Sequence, residues 1–493
     1  FTNATINVTN GNFTLNNCGS VVLNSDQIKV TGGGVTVNSA AGNVSLNGSN
    51  ISADKNISLM AGKGSVGISG INSTVKANIT AGGNISIEAH NPSAGRVTGV
   101  LVSNAKLNAT GNININGTTS GTNSGVHFSN ADLQANTNTG SITVYGESYG
   151  IQDQERGSIY LDGKNSFKAN NISITGKSLY NNYIGSAGVI FDGGNASFSG
   201  NTSIDGSGYG VGIALRNEVH LDFNEGRALF KGQTTGPGGS DSYYQTGGIA
   251  GFNFYQPAKV FVNLTNASLQ MEADSSSSKF GATPAFGIMS TGTEDYFQNG
   301  FIFQGNGDVN ISGVSSDGNA VDTRLFDNTA LNGNVSVTGK SESGSGVYMG
   351  GALNVTLLNA TITGSSGSGN GVTLDATSGT ANLGNNSING TSETGTGIQI
   401  KGNNITLTTG TLTGTATSGD GAGVQLNGGS NYTIDGTTIK GQSTGGNGVS
   451  VNGSLSVQNG AVQGDTASGH GVDISGDLTL ANTTITGNAS TSG

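Results

Sequence analysis

Val424-Gln425-Leu426, Tyr432-Thr433-Ile434 and Ile439 are followed by Val449-Ser450-Val451, Leu455-Ser456-Val457 and Val462 in the same order. In each pair the apolar residues are two positions apart, which places them on one face of a strand. The same three-beat pattern precedes this stretch as Ile398/Ile400, Ile405/Leu407 and Leu412, and follows it as Val472/Ile474, Leu478/Leu480 and Ile485. The opening apolar residue recurs at Val347, Val372, Ile398, Val424, Val449 and Val472, a spacing of roughly 25 residues that suits one coil of a solenoid. Three short strands per coil, each pointing one or two apolar side chains inward, predict a right-handed parallel β-helix. A glycine sits two positions after the last apolar residue of each coil, at Gly364, Gly390, Gly414, Gly441, Gly464 and Gly487. Either a positive-φ corner or a close approach of backbone requires it.

Towards the N-terminus a longer repeat of the same kind runs through Ile57, Ile85, Ile113, Ile142 and Ile172, at intervals of roughly 28–30 residues. The extra length falls in Gly-, Ser- and Asn-rich turns, where insertion is tolerated. Three regions follow: longer coils over 1–215, coils with aromatic-rich insertions over 216–332, and regular coils over 333–493. With some 18 coils stacked at about 4.8 Å, the chain would form a rod on the order of 90 Å long.

Composition agrees with an extended, finely divided core. There are 86 Gly, 4 Pro, 1 Cys and no Trp in 493 residues, and 10% are charged. An ordinary globular domain carries roughly 25% charged residues. The absence of a Gly-X-Y period excludes collagen. A net charge of −11 argues against nucleic acid or an anionic membrane as partner. The lone Cys18 excludes an internal disulfide framework, and scarce cysteine suits a chain that folds after export. No apolar run reaches the roughly 18 residues of a transmembrane segment. The chain opens at Phe1 without a signal peptide and stops inside a repeat, which reads as an excerpt of a longer mature protein.

Between Arg216 and Asn332 glycine thins out and aromatics crowd in, among them Phe261, Phe286, Phe301, Phe303, Tyr243, Tyr244, Tyr255 and Tyr296. Loops on a rigid scaffold are where binding function usually sits, so these four tyrosines are the candidate receptor contacts. The competing reading is that the aromatics fill wider coils. The densest ionisable stretch, Arg216 to Arg227, contains the alternating run Glu218-Val219-His220-Leu221-Asp222. Carboxylate, imidazole and carboxylate on one face could bind a metal or serve acid–base chemistry. The favoured reading is the solvated outer face of a strand. Asp153, Glu155, Asp192, Glu294 and Asp295 are dispersed carboxylates, and His90, His127 and His470 are isolated. No calcium-binding nonapeptide, P-loop, zinc spacing or nucleophile elbow occurs. The expectation is therefore no catalytic centre, no cofactor and no metal.

Asn-x-Ser/Thr triplets number about 28, roughly twice the chance expectation. Candidate glycosylation sites are Asn3, Asn7, Asn12, Asn43, Asn47, Asn50, Asn56, Asn84, Asn334, Asn354, Asn404 and Asn488. An alternating pattern rich in Asn and Thr also generates such triplets without any selection for sugar.

Segments such as Lys55-Asn56-Ile57-Ser58-Leu59-Met60-Ala61-Gly62 and Asn78-Ile79-Thr80-Ala81-Gly82-Gly83-Asn84-Ile85-Ser86-Ile87 resemble the repeats of two-partner-secretion exoproteins of the filamentous haemagglutinin and high-molecular-weight adhesin type. The resemblance covers most of the chain as a style of repeat. It implies export through an outer-membrane pore partner, residence outside the bacterial cell on its surface, attachment to a host-cell glycan or matrix receptor, and simple sugars on the triplet asparagines. The family's secretion domain is not recognisable, since Asn91-Pro92 lies too deep in the repeats, and a C-terminal cysteine pair is missing. Autotransporter export therefore stands beside the two-partner route. The expected function is a secreted surface adhesin; the alternatives are a carbohydrate-degrading β-helix enzyme or a purely structural filament.

Overall fold

The computed structural model describes every residue except 18, 73, 94, 150–156, 180–185, 237–246, 253–258, 278–285, 289–299, 324, 351–353, 430 and 492–493. Strands run throughout, with no helix among the described residues, and all described pairings are parallel. The fold is a parallel stacked-coil β-solenoid of about 16 turns, slightly fewer than the sequence count. The shortfall has a local cause. Ile249 pairs with Phe286 and Phe286 with Val321, so these coils are much longer than the regular ones. Two compact units are present. One comprises 1–236 with 263–268, and the other 237–262 with 269–493.

In the second unit the apolar columns stack in the predicted register. Val424 meets Ile398 on one side and Val449 on the other, and Val449 then meets Val472. Ile405, Tyr432 and Leu455 form the next column, and Leu412, Ile439 and Val462 the third. All of these except the outermost, Val472, are buried. A fully buried Val, Leu or Ile contributes about 1.5–3 kcal/mol, so the core is assembled in equal small steps. The predicted corner between second and third strands is shallow enough that Asn431–Ser443 runs through it as one continuous strand.

The recurring glycines answer the question left open by the sequence. None of the six, Gly364, Gly390, Gly414, Gly441, Gly464 and Gly487, has positive φ. A Cβ on Gly414 would instead overlap the carbonyl of Gly423, within the same coil. Gly423 belongs to a further glycine column whose Cβ would strike Gln442 N on the next coil, and its carbonyl accepts from Ile398 N at 2.9 Å. Close approach is the requirement, and two glycines meet it together.

In the first unit, Ile57, Ile85, Ile113, Ile142 and Ile172 stack as one column, as their spacing predicts. A phenylalanine ladder fills the widening coils: Phe167 lies 5.3 Å from Phe198, stacked, and Phe198 lies 5.5 Å from Phe223. The second unit repeats the device with Phe286, Phe301 and Phe303, at 4.9 and 5.7 Å. These three are buried, as are Phe223, Phe230 and Phe326, so the core reading holds for them, whereas Phe261 sits half-buried on the outward face between Val260 and Val262.

Candidate functional site

The four tyrosines singled out for receptor binding, Tyr243, Tyr244, Tyr255 and Tyr296, lie outside the described residues, as do Asp153, Glu155, Glu294 and Asp295. The Glu218 row is described. Val219, Leu221 and Phe223 point into the core while Glu218, His220 and Asp222 face outward, as the alternation predicts. His220 Nε2 lies 2.9 Å from Glu218 Oε1. The adjoining coil places Asn195 beside His220 and Ser197 beside Asp222, so no further carboxylate or imidazole joins the row there. Among the described residues no cluster of three or more His, Cys, Asp or Glu could hold a metal.

The structure assembles a different polar cluster that the sequence reading did not. Ser129, Asp162, Asp192 and Arg216 occupy one register position on four successive coils, and His127 and Tyr160 occupy another two residues earlier. Tyr160 donates its hydroxyl to Asp192 Oδ2 at 2.5 Å, and Asn217 Nδ2 donates to Oδ1 at 2.5 Å. Arg216 Nη2 stands 3.5 Å from the same Oδ2. His127 Nε2 approaches Asp162 Oδ2 at 3.3 Å, and its ring meets Tyr160 edge-on at 4.9 Å. Burial, and then the hydrogen bond to Asp192, push the Tyr160 phenol well above its ordinary value, keeping it a neutral donor. With two hydrogen bonds and an ion pair on its two oxygens, Asp192 is a clamp that ties three coils together. The sequence signal was present, since the residues recur at near-coil spacing. These coils differ in length, however, so register could not be counted from Asp162 to Arg216.

The third strand of a nearby coil carries one further tyrosine, and a second follows it directly. Tyr145 and Glu147 are hydrogen-bonded, and Tyr149 beside them is exposed. Burial, followed by the bond to Glu147, pushes Tyr145 up to about 12.

Two grooves follow the corner that leads into the third strand. In the first unit, one of about 400 Å³ is walled by Lys168, Asn170, Asn201 and Glu225 among others. In the second unit, one of about 630 Å³ crosses four coils along residues 331–334, 359–361, 385–387 and 410–411.

Three triplet asparagines of the first unit, Asn12, Asn56 and Asn84, lie at this same corner, and they have work there. Asn12 Oδ1 accepts from Gly34 N at 2.9 Å, Asn56 from Asn84 N at 2.8 Å, and Asn84 from Asn112 N at 2.8 Å. Asn43, at another turn, accepts from Ser65 N at 2.9 Å. Each amide caps an N–H of the next coil where the chain turns away from its ladder. All four are nonetheless exposed, as are Asn3, Asn7, Asn47, Asn334, Asn404 and Asn488, while Asn50 is half-buried. Asn354 starts a strand, and its side chain is outside the description.

No protein-family model matches the chain, and no curated protein matches it in sequence.

Proposed function

We propose that this protein is a secreted bacterial surface adhesin of the two-partner-secretion type, in which the solenoid displays binding surfaces and performs no catalysis. The observation that carries the reading is the in-register stack. It turns short repeats into columns of like, uncharged outward side chains, as in Thr406, Thr433, Ser456 and Thr479. Such a surface is a stiff, weakly charged scaffold on which loops can be presented.

Attachment is to a host-cell glycan or matrix receptor, with Tyr243, Tyr244, Tyr255 and Tyr296 as the contacts, after passage through an outer-membrane pore partner. The test is attachment of protein-coated beads to cultured host cells, with parent protein and a variant carrying all four tyrosines as Ala. The expected result is attachment by the parent and at least a fivefold loss in the variant. Equal attachment by both removes the tyrosines from the reading, and no attachment by the parent removes adhesion.

A further inference from the structure

We infer that the 630 Å³ groove of the second unit is a binding site for a neutral, hydroxyl-rich linear glycan lying along the direction in which the coils stack. The inference rests on the adhesive reading and names a ligand class for it.

Size comes first. Successive coils are about 4.8 Å apart, so a groove touching four of them is about 14 Å long, room for a few sugar units in a row. Its volume falls within the range of roughly 300–1,000 Å³ typical of ligand sites.

The lining decides the chemistry. It contains amides, hydroxyls and glycine backbone, with no ionisable and no aromatic side chain. An anionic ligand would meet no cation there, and a chain of net charge −11 disfavours it at longer range. A lipid or flat aromatic ligand would find almost no apolar wall. What remains is a neutral molecule that both donates and accepts.

The amides are poised for such a partner. Asn359 and Asn385 line the groove in left-handed backbone conformations, φ 52 and 54°. Asn385 Nδ2 donates to Asn359 Oδ1 at 2.9 Å, which fixes both rotamers. That leaves Asn359 Nδ2 as an unused donor and Asn385 Oδ1 as an unused acceptor among the described residues. Asn334 Nδ2 is held by Asp308 at 3.2 Å and keeps its own Oδ1 for a ligand. Asn332 is exposed, and its side-chain amide has no partner among the described residues. Asn386, by contrast, is buried and spent on Ala360 N and Leu357 O, so it braces the floor. Donors and acceptors thus alternate from coil to coil, as hydroxyls and ring oxygens do along a glycan.

The experiment uses the full chain on an array of neutral tri- to hexasaccharides printed beside uronate- and sulfate-bearing ones. Thr361→Trp plugs the groove from an exposed strand position, and Asn332→Ala removes one amide. Thr406→Trp places the same bulk on an outward position that does not line it. We expect binding to neutral members, at least tenfold weaker in Thr361→Trp, several-fold weaker in Asn332→Ala and unchanged in Thr406→Trp, with equal melting temperatures throughout. Binding confined to charged glycans, no glycan binding, or a Thr361→Trp variant that binds as the parent does would each overturn the site. The bead assay separates this from the adhesive reading. Cell attachment without neutral-glycan binding sinks the groove alone, whereas glycan binding without attachment sinks adhesion alone.

Discussion

Ser392 is buried at the end of a third strand, donates to Gly369 O at 2.5 Å and accepts from Gly395 N at 2.8 Å. Ser366 does the same with Gly344 and Gly369, and Thr466 with Gly446 and Gly469. One hydroxyl therefore closes its own turn and ties it to the turn below. Ala416 occupies this register position without a hydroxyl, beneath a longer turn. Ser392→Ala should destabilise by about 2 kcal/mol, since a buried carbonyl and N–H lose their partner, while Ala416→Ser should stabilise by about 1 kcal/mol by reaching Gly395 O. Chemical denaturation of the two variants gives both signs, and an Ala416→Ser protein no more stable than the parent would remove the clip from the account. The triplet asparagines make a second prediction at this scale. Sugar attaches through Nδ2, which has no partner among the described residues in Asn12, Asn43, Asn56 and Asn84 but donates to Asn24 in Asn47, to Gln27 in Asn50 and to Asp465 in Asn488. Peptide mapping of native protein should find modification at the first four in preference to the last three. If all seven are bare, the ladder bonds alone account for asparagine at the corner positions.

At the scale of the strand, legibility followed from the period. One side chain in two faces the core, so Val449, Val451, Leu455 and Val457 disclosed their sheet face and register from spacing alone. The outward row of Glu218, His220 and Asp222 was legible for the same reason. The Asp192 clamp was not, because it joins residues across coils of unequal length, and nothing in a linear sequence measures how much chain a turn absorbs. The groove was illegible on similar grounds: Asn332, Asn359 and Asn385 become neighbours only once three coils are stacked. Val449 tests the column directly. It is fully buried between Val424 and Val472, and a carboxylate there would face a dry stack with no cation in it. Val449→Asp should cost about 4 kcal/mol, whereas Ser456→Asp, at an outward position of the next strand between Thr433 and Thr479, should stay within about 0.5 kcal/mol. Similar losses for the two, read from urea midpoints, would mean that the face assignment is wrong.

Across the molecule, each coil of the regular region touches the coil before and the coil after, and stability becomes a sum of near-equal neighbour terms. Such a chain tolerates the loss of a whole unit but not of a fraction of one. Deleting Val424–Gly448 joins Gly423 to Val449 and brings Ile398 over Val449, Ile405 over Leu455, Leu412 over Val462 and Gly414 over Gly464, each pair matching in type. The deletion also removes Tyr432, whose hydroxyl bonds to Asn452 O at 3.0 Å, so a modest loss is expected beyond the missing coil itself. Deleting only Val424–Gly436 instead puts turn residues where strands were and turns every later apolar column out of phase. The whole-coil deletion should retain the parent's far-UV circular dichroism per residue and melt within a few degrees of it. The part-coil deletion should lose strand signal and expose the chain beyond Gly423 to protease. If both deletions unfold alike, the coils are not interchangeable neighbours, and stability depends on longer-range coupling than parallel stacking provides.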